Sequence, residues 1–195
     1  MKVLIDNGHG EETKGKRSPD GRIREYAYAR KVAVALVRRL KEEGIHSIQI
    51  VPEDYDVSLR ARCTRANMVA DKNKILISIH LDAAGGGSQW MGARGWSARI
   101  SPKASEKSKT LASCLAKAAE AHGLKVRRQY PDKDYWLQNL AICRDTVCPA
   151  VLTENLFQDN LEDVAYLLTE EGFNTIVDLH VEGIKEYLRL IDGRN

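Results

Sequence analysis

The chain has 195 residues, 43% of them hydrophobic and 29% charged, and 30 basic against 27 acidic side chains leave a net charge of +3. That length suits one domain with a sizeable core, and so weak a basic balance excludes an argument for nucleic acid while remaining compatible with a mildly anionic polymer. No apolar run approaches the ~18 residues of a membrane span. Met1-Lys2 runs straight into Val3-Leu4-Ile5 and then polar turn residues, which reads as no signal peptide, so synthesis and folding in the cytoplasm are expected.

The first element is a strand over Val3 to Ile5, ending in Asp6-Asn7 and passing into Gly8-His9-Gly10. Val and Ile favour a strand and Asp, Asn and Gly break one. A turn at a strand end is where an α/β sheet holds its chemistry. Glycine on both sides of His9 predicts positive φ at those glycines and close approach of a ligand. The long polar loop Glu11 to Arg24 suits the border of a site. Glu25 opens a helix whose inward face is Ala29, Val32, Ala33, Leu36 and Leu40, ending at Gly44.

Ser47 to Val51 is a short strand stopped by Pro52, and Ser58 to Asp71 a second helix. Lys74 to His80 is the most strand-like run, followed by a small-residue loop, Ala83 to Gly87. Strand character returns over Gly92 to Ile100, and a helix runs from Pro102 or Lys103 to about His122, capped by Gly123. A polar, aromatic loop covers Arg127 to Gln138; two short strands, Leu140 to Arg144 and Ala150 to Glu154, flank Cys148-Pro149. An acidic-started helix follows over Leu161 to Leu168, then an amphipathic one from about Phe173 to Leu190. The alternation predicts a single α/β domain over residues 1–195, with a mixed, mostly parallel sheet of about six strands and helices on both faces.

Cys63, Cys114, Cys143 and Cys148 show no C-x-x-C spacing; reduced, half-buried thiols are the favoured reading, with a Cys143–Cys148 bridge as the alternative. Three strands end in a polar residue that is expensive to bury: His9, His80 and Glu154. Glu25 sits at a helix start, where the dipole favours a carboxylate. Two histidines and one glutamate make a common catalytic zinc set with a fourth position for water. A second glutamate near that water can take its proton and return it to a leaving amine. Plain alternatives stand beside each residue: His9 as a surface-turn histidine, His80 as a satisfied core histidine, Glu25 as a helix-start charge. Glu154 is harder to dismiss, because Ala150-Val151-Leu152 should bury its strand and a carboxylate there needs a partner. His46, His122 and His180 read as structural or solvent-facing.

At these residues the sequence resembles the zinc-dependent N-acetylmuramoyl-L-alanine amidases of the amidase-3 family. Asp6-Asn7-Gly8-His9-Gly10 looks like that family's opening D-x-G-H-G, with Asn7 in place of the usual proline. Glu25 begins a helix after a Gly-containing loop, as the family's second zinc ligand does. Leu59, Arg62, Ala66-Asn67, Ala70-Asp71 and Ser78-Ile79-His80 are similar to its L-x-x-R-x-x-x-A-N-x-x-x-A-D…S-I-H run. Pro149 to Phe157 resembles its P-A-V-L-V-E-x-x-F block, followed by Asn160 and Glu162. The resemblance implies zinc bound by His9, Glu25 and His80, with Glu154 as the catalytic carboxylate. It implies hydrolysis of the amide between N-acetylmuramic acid and L-alanine in peptidoglycan, by an enzyme reaching the wall after lysis or separate export.

Departures from the pattern concern substrate more than chemistry. Leu81-Asp82 stands where the family has Ala-Asn, and the segments Trp90 to Trp96 and Arg127 to Gln138 lack a counterpart. No long helical insertion that would plug the site and no attached wall-binding domain is seen, and a monomer is expected. Trp90, Trp96, Tyr135 and Trp136 are candidates for sugar or peptide contacts, with core packing accounting for at least half of them. Two rivals remain: a zinc peptidase acting on the stem peptide, because the metal set alone does not choose the amide, and a catalytically silent wall-binding module.

Overall fold

The computed structural model describes residues 1–193. In chain order the elements are β1 (Lys2–Asn7), α1 (Glu25–Glu42), β2 (Ser47–Gln49), α2 (Leu59–Met68), β3 (Lys74–Asp82), β4 (Ser97–Ile100), α3 (Glu106–Ala121), β5 (Trp136–Leu137), α4 (Ala141–Arg144), β6 (Ala150–Phe157), α5 (Leu161–Leu167) and α6 (Glu170–Asp192). The six strands form one sheet in the order β2-β1-β3-β6-β4-β5. β2, β1, β3 and β6 run parallel, β4 is antiparallel to β6, and β5 is parallel to β4. The sheet is thus the mixed, mostly parallel one that the alternation of elements predicts. No helix among the described residues is long and apolar enough to cross a membrane.

Alternate side chains of a strand point to opposite faces, and the two faces of this sheet have different fillings. Val3, Ile5, Ile75, Ile77, Ile79 and Val151 are fully buried in the larger core, with residues of α1, α3 and α6. Leu4, Leu76, Ala150 and Leu152 belong to a smaller cluster with Cys63 and Ala66 of α2 and Ile142 and Cys143 of α4. On that second face the apolar side chains give way to polar ones as the strands near their carboxyl ends. Leu4 is followed by Asp6, Leu76 by Ser78 and His80, and Leu152 by Glu154. Asp6 pairs with Ser78 in register, and His80 with Glu154. Carboxyl ends of neighbouring parallel strands are where open α/β sheets bind ligands.

Several boundaries differ from the sequence expectation. Leu140 to Arg144 is no strand: Ala141–Arg144 forms a single helical turn, with the amides of Cys143 and Arg144 donating to the Leu140 carbonyl at 3.1 and 2.9 Å. Its Ile142 and Cys143 pack against the sheet's second face and do not extend it; so short an apolar run satisfies either geometry. Within the expected Arg127–Gln138 loop, Trp136–Leu137 adds an edge strand beside β4. α3 starts at Glu106 and not at Pro102, because Ser105 supplies the cap: its hydroxyl accepts from the Ser108 amide at 3.3 Å. The strand expected over Gly92 to Ile100 is confined to Ser97–Ile100, and α6 begins at Glu170 behind a Thr169 cap. All four cysteines are free thiols, with Cys63, Cys114 and Cys143 buried.

Candidate metal centre

The loop after β1 is shaped by sterics at three successive residues. His9 itself takes φ +60°, the left-handed region that a non-glycine residue enters only at a cost. The sequence expectation put that freedom on the flanking glycines; neither has positive φ, and both are small for lack of room. A Cβ on Gly8 would lie 2.4 Å from the His80 ring, and one on Gly10 would lie 2.1 Å from the Asp56 amide nitrogen. Two buried arginines hold the strained turn from behind. Arg30 donates to the carbonyls of Gly8 and His9 at 3.5 and 3.1 Å, and Arg62 to those of Asn7 and His9 at 2.5 and 2.9 Å.

Glu25, the first residue of α1, is 0% exposed. It caps nothing; its carboxylate points at the ends of β1 and β3. Oε1 accepts from the Leu81 amide at 3.0 Å, and Oε2 from the Gln158 amide group at 3.0 Å. The same Oε1 lies 3.1 Å from His80 Nδ1 and 3.4 Å from His9 Nε2. Burial pushes the Glu25 carboxyl up, but hydrogen bonds from His80 and His9 outweigh it and hold the group well below the usual carboxylate range. Burial pushes His80 down, and Glu25 more than reverses this.

His80 is oriented from its other nitrogen. Its Nε2 lies 3.2 Å from the Ser78 hydroxyl, which donates to Asp6 Oδ2 at 2.5 Å. With the serine proton directed at Asp6, the serine oxygen accepts from Nε2–H; Nδ1, which shares a proton with Glu25 here, is the nitrogen whose lone pair would be offered to a metal. Arg62 pairs with Asp6 Oδ1 at 2.9 Å, so the buried aspartate is neutralised.

One ligand atom from each of His9, Glu25 and His80 lies within 4.8 Å of the other two. A fully buried carboxylate between two imidazoles, one fixed in its tautomer by a serine–aspartate pair, is a donor set that fits zinc. Glu154 stands beside this cluster without belonging to it. Its side chain is 13% exposed, its Oε1 lies 3.5 Å from Arg99 Nε, and its buried Oε2 has no hydrogen-bond partner among the described residues. Burial pushes its carboxyl up to about 7, against the pull of His80 and Arg99. A cleft of about 340 Å³ opens from His9 and His80 between Leu59, Leu140, Ala141 and Leu152.

All four residues singled out in the sequence therefore meet at the carboxyl ends of the inner strands β1, β3 and β6. The aromatic candidates divide. Trp96 is fully buried, its indole N–H donating to Asn155 Oδ1 at 2.8 Å, and is core; Tyr135 packs against the main core. Trp90 is exposed and Trp136 half-buried beside Arg99 and Arg127. His180 is buried, and His122 ends α3 and pairs with Glu182 at 3.1 Å. Sequence reasoning gave no role to Gln158, Arg99 or Arg127, and Ser78, Asp6 and Arg62 entered it only as parts of motifs. The strand-end pattern of Leu76-Ser78-His80 carried a signal for Ser78, two residues before His80 on the same face; nothing local marks Gln158.

The profile of the N-acetylmuramoyl-L-alanine amidase family matches residues 3–186. The chain is 29% identical over 193 residues to an endolysin of Bacillus phage SPP1, covering 96% of this chain and 66% of that protein. It is 26% identical over 194 residues to the sporulation-specific N-acetylmuramoyl-L-alanine amidase of Bacillus subtilis (strain 168), covering 97% and 69%. The chain thus spans about two thirds of these curated relatives' length. Among solved structures, the N-acetylmuramoyl-L-alanine amidase from Clostridium difficile 630 superposes with a TM-score of 0.84 at 25% identity, covering 100% of this chain and 98% of that one. The catalytic domain of the amidase CwlV from Bacillus (Paenibacillus) polymyxa var. colistinus gives 0.81 at 25% identity, covering 96% and 97%. With its profile matched over nearly the whole length, the fold shared and the four motif residues gathered at one strand-end site, the chain belongs to the N-acetylmuramoyl-L-alanine amidase family.

Proposed function

We propose that this domain hydrolyses the amide between N-acetylmuramic acid and L-alanine in peptidoglycan, with zinc held by His9, Glu25 and His80 and with Glu154 as general base and acid. The observation that carries the reading is the placement of Glu154: in register with His80, outside the ligand triangle, with one oxygen unpaired.

Zinc in such a site supplies a Lewis acid that polarises a carbonyl and acidifies water. The chain's residues do the rest. Glu25 brings the negative charge, and its second oxygen is tied to Gln158 so that Oε1 faces the two imidazoles. Ser78 and Asp6 keep the proton of His80 on Nε2, away from the cluster. Glu154 Oε2 accepts a proton from the attacking water and gives it to the departing alanine nitrogen, work for which a carboxyl partway between acid and base is suited. Arg99 lies beside Oε1, which leaves the unpaired Oε2 as the oxygen free to take the proton. The cleft walled by Leu59, Leu140 and Leu152 gives the reacting amide a drier setting, in which charges act more strongly.

The test is digestion of purified peptidoglycan with and without a chelator, read by mass spectrometry. A lactyl-ended glycan and whole stem peptides, formed only when metal is present, are the expected products. Shortened peptides still attached to glycan would overturn the reading in favour of a peptidase, and no product at all would overturn it in favour of a binding module.

A further inference from the structure

We propose that Arg127, braced between Trp136 and Phe157, is the centre of a carboxylate-binding site next to Glu154 that takes a free carboxylate on the peptide side of the scissile bond. This rests on the amidase reading above and concerns which substrates that site prefers.

Arg127 follows the short pairing of Val126 with Trp96, and its amide donates to the Trp96 carbonyl at 2.7 Å. That anchor delivers the side chain to the end of β3. Its guanidinium carbon lies 4.6 Å from the Phe157 ring centroid and 5.3 Å from that of Trp136. Two aromatic rings thus fix a planar cation. Of its five N–H donors, one side-chain hydrogen bond is made among the described residues: Nη1 to Asp82 Oδ2 at 2.8 Å. The same Asp82 oxygen is already taken at 2.5 Å by Arg99, whose Nη1 also reaches Gln138 Oε1 at 2.6 Å and whose Nε lies 3.5 Å from Glu154. Arg127 therefore stands one carboxylate and one guanidinium away from Glu154.

Two features mark Arg127 as more than an anchor for Asp82. Asp82 Oδ2 is shared between two guanidiniums, and Arg99 also has Glu154 and Gln138 beside it, so Arg127 is the one whose remaining donors lack a side-chain acceptor among the described residues. Arg127 is also the more open of the two, with its side chain 26% exposed against 14% for Arg99. A pinned, half-exposed fork with free donors loses little conformational freedom on binding a planar anion, and matches a carboxylate by two parallel hydrogen bonds. In the amidase substrate the lactyl carboxyl is consumed in the scissile amide, so the free carboxylates lie on the peptide.

The experiment compares two soluble muramoyl peptides on the zinc-loaded chain, identical except that the peptide residue after alanine carries a free α-carboxylate in one and a carboxamide in the other. Wild type is expected to favour the acid by about tenfold in kcat/KM, mostly through KM, as for a hydrogen bond between charged groups. Arg127→Met should bring the acid-to-amide ratio near one, and Arg127→Lys should restore part of it. Equal cleavage of both probes by wild type overturns the carboxylate site while leaving the amidase reading intact, and needs no variant to fold. A ratio unchanged in Arg127→Met also overturns it. Cleavage of neither probe overturns the amidase reading and this inference with it.

Discussion

Two histidines flank the β3–β6 pair from opposite sides. His80 lies in register with Glu154, while His180, on α6, touches the preceding residue, Thr153. One step along β6 separates the two partners, and the pleat sends them to opposite faces. On the site face, Glu25 outweighs burial and draws the His80 pKa up. On the core face, His180 is 0% exposed with neutral partners alone: Nδ1 donates to the Ile176 carbonyl at 2.6 Å, and Nε2 accepts from the Thr153 hydroxyl at 3.0 Å. Burial there pushes the imidazole down to about 4. The same residue type against the same pair of strands is thus part of a charged cluster on one face and a neutral core side chain on the other. Burial pushes both imidazoles down, and the charge of the partners is what reverses that push at His80 alone.

The comparison breaks most readily on the charged face. His80→Ala and Glu25→Ala each remove one of three donors, so zinc and activity should vanish together. Glu154→Ala removes no donor. It should keep its zinc and its fold and lose turnover by at least ~10²–10⁴-fold, the range of a general acid–base group. Zinc content and rate are measured on the same preparations. If Glu154→Ala loses metal while Glu25→Ala retains it, the two glutamates have been assigned the wrong way round.

The core face sharpens the comparison through pH. His180 falls from about 6.5 when unfolded to about 4 when folded, so between these values the unfolded chain binds more protons. The stability that depends on neutral His180 is fully present above pH about 6.5 and is lost as pH falls towards 4, a total of ~3 kcal/mol at 1.36 kcal/mol per pKa unit. His180→Gln cannot titrate. It should be less stable than wild type near pH 7, through its broken bonds to Thr153 and Ile176, and the gap should close towards pH 4.5. Denaturant titrations at the two pH values measure it; a gap that stays constant would mean His180 is not held neutral.

The strand ends, and with them the candidates His9, His80 and Glu154, were legible because they combine two simple signals, an apolar run and a polar residue where burial is costly; Glu25 was read from its place at a helix start. Helix α1 was legible to within two residues of its end for the same reason of periodicity. The glycines beside His9 were legible as necessary but not for their cause: sequence shows a missing side chain, whereas the clash with His80 and Asp56 arises only after the chain has folded back. Gln158 and Arg99 reach the site across long sequence separations and follow no spacing rule, so nothing local could mark them. α4 was misread because five residues from Leu140 to Arg144 are too few to separate a period of two from one of 3.6. The division between His80 and His180 was only half legible: His80 was weighed as a core histidine and His180 as structural or solvent-facing, and the partner's charge that separates them belongs to tertiary contacts.

The smallest effect tests what fits His80 to bind a metal. Ser78 is fully buried, and its hydroxyl joins His80 Nε2 to Asp6, which Arg62 neutralises. Ser78→Ala leaves the strand and the three donors in place but frees the ring to take the other tautomer, with its proton on the nitrogen that should bind metal. Outer hydrogen bonds of this kind are worth roughly 10–100-fold in metal affinity, so Ser78→Ala should lose zinc to a competing chelator at correspondingly lower chelator concentration. Ser78→Thr, which keeps the hydroxyl, should recover most of the affinity if the added methyl is accommodated, as its melting temperature will report. Because His180 has no carboxylate behind it, Thr153→Ala on the opposite face should leave zinc affinity where it was. An equal loss of zinc in Ser78→Ala and Thr153→Ala would mean that both act through general loosening of β3 and β6, and that the charged chain behind His80 does not set its tautomer.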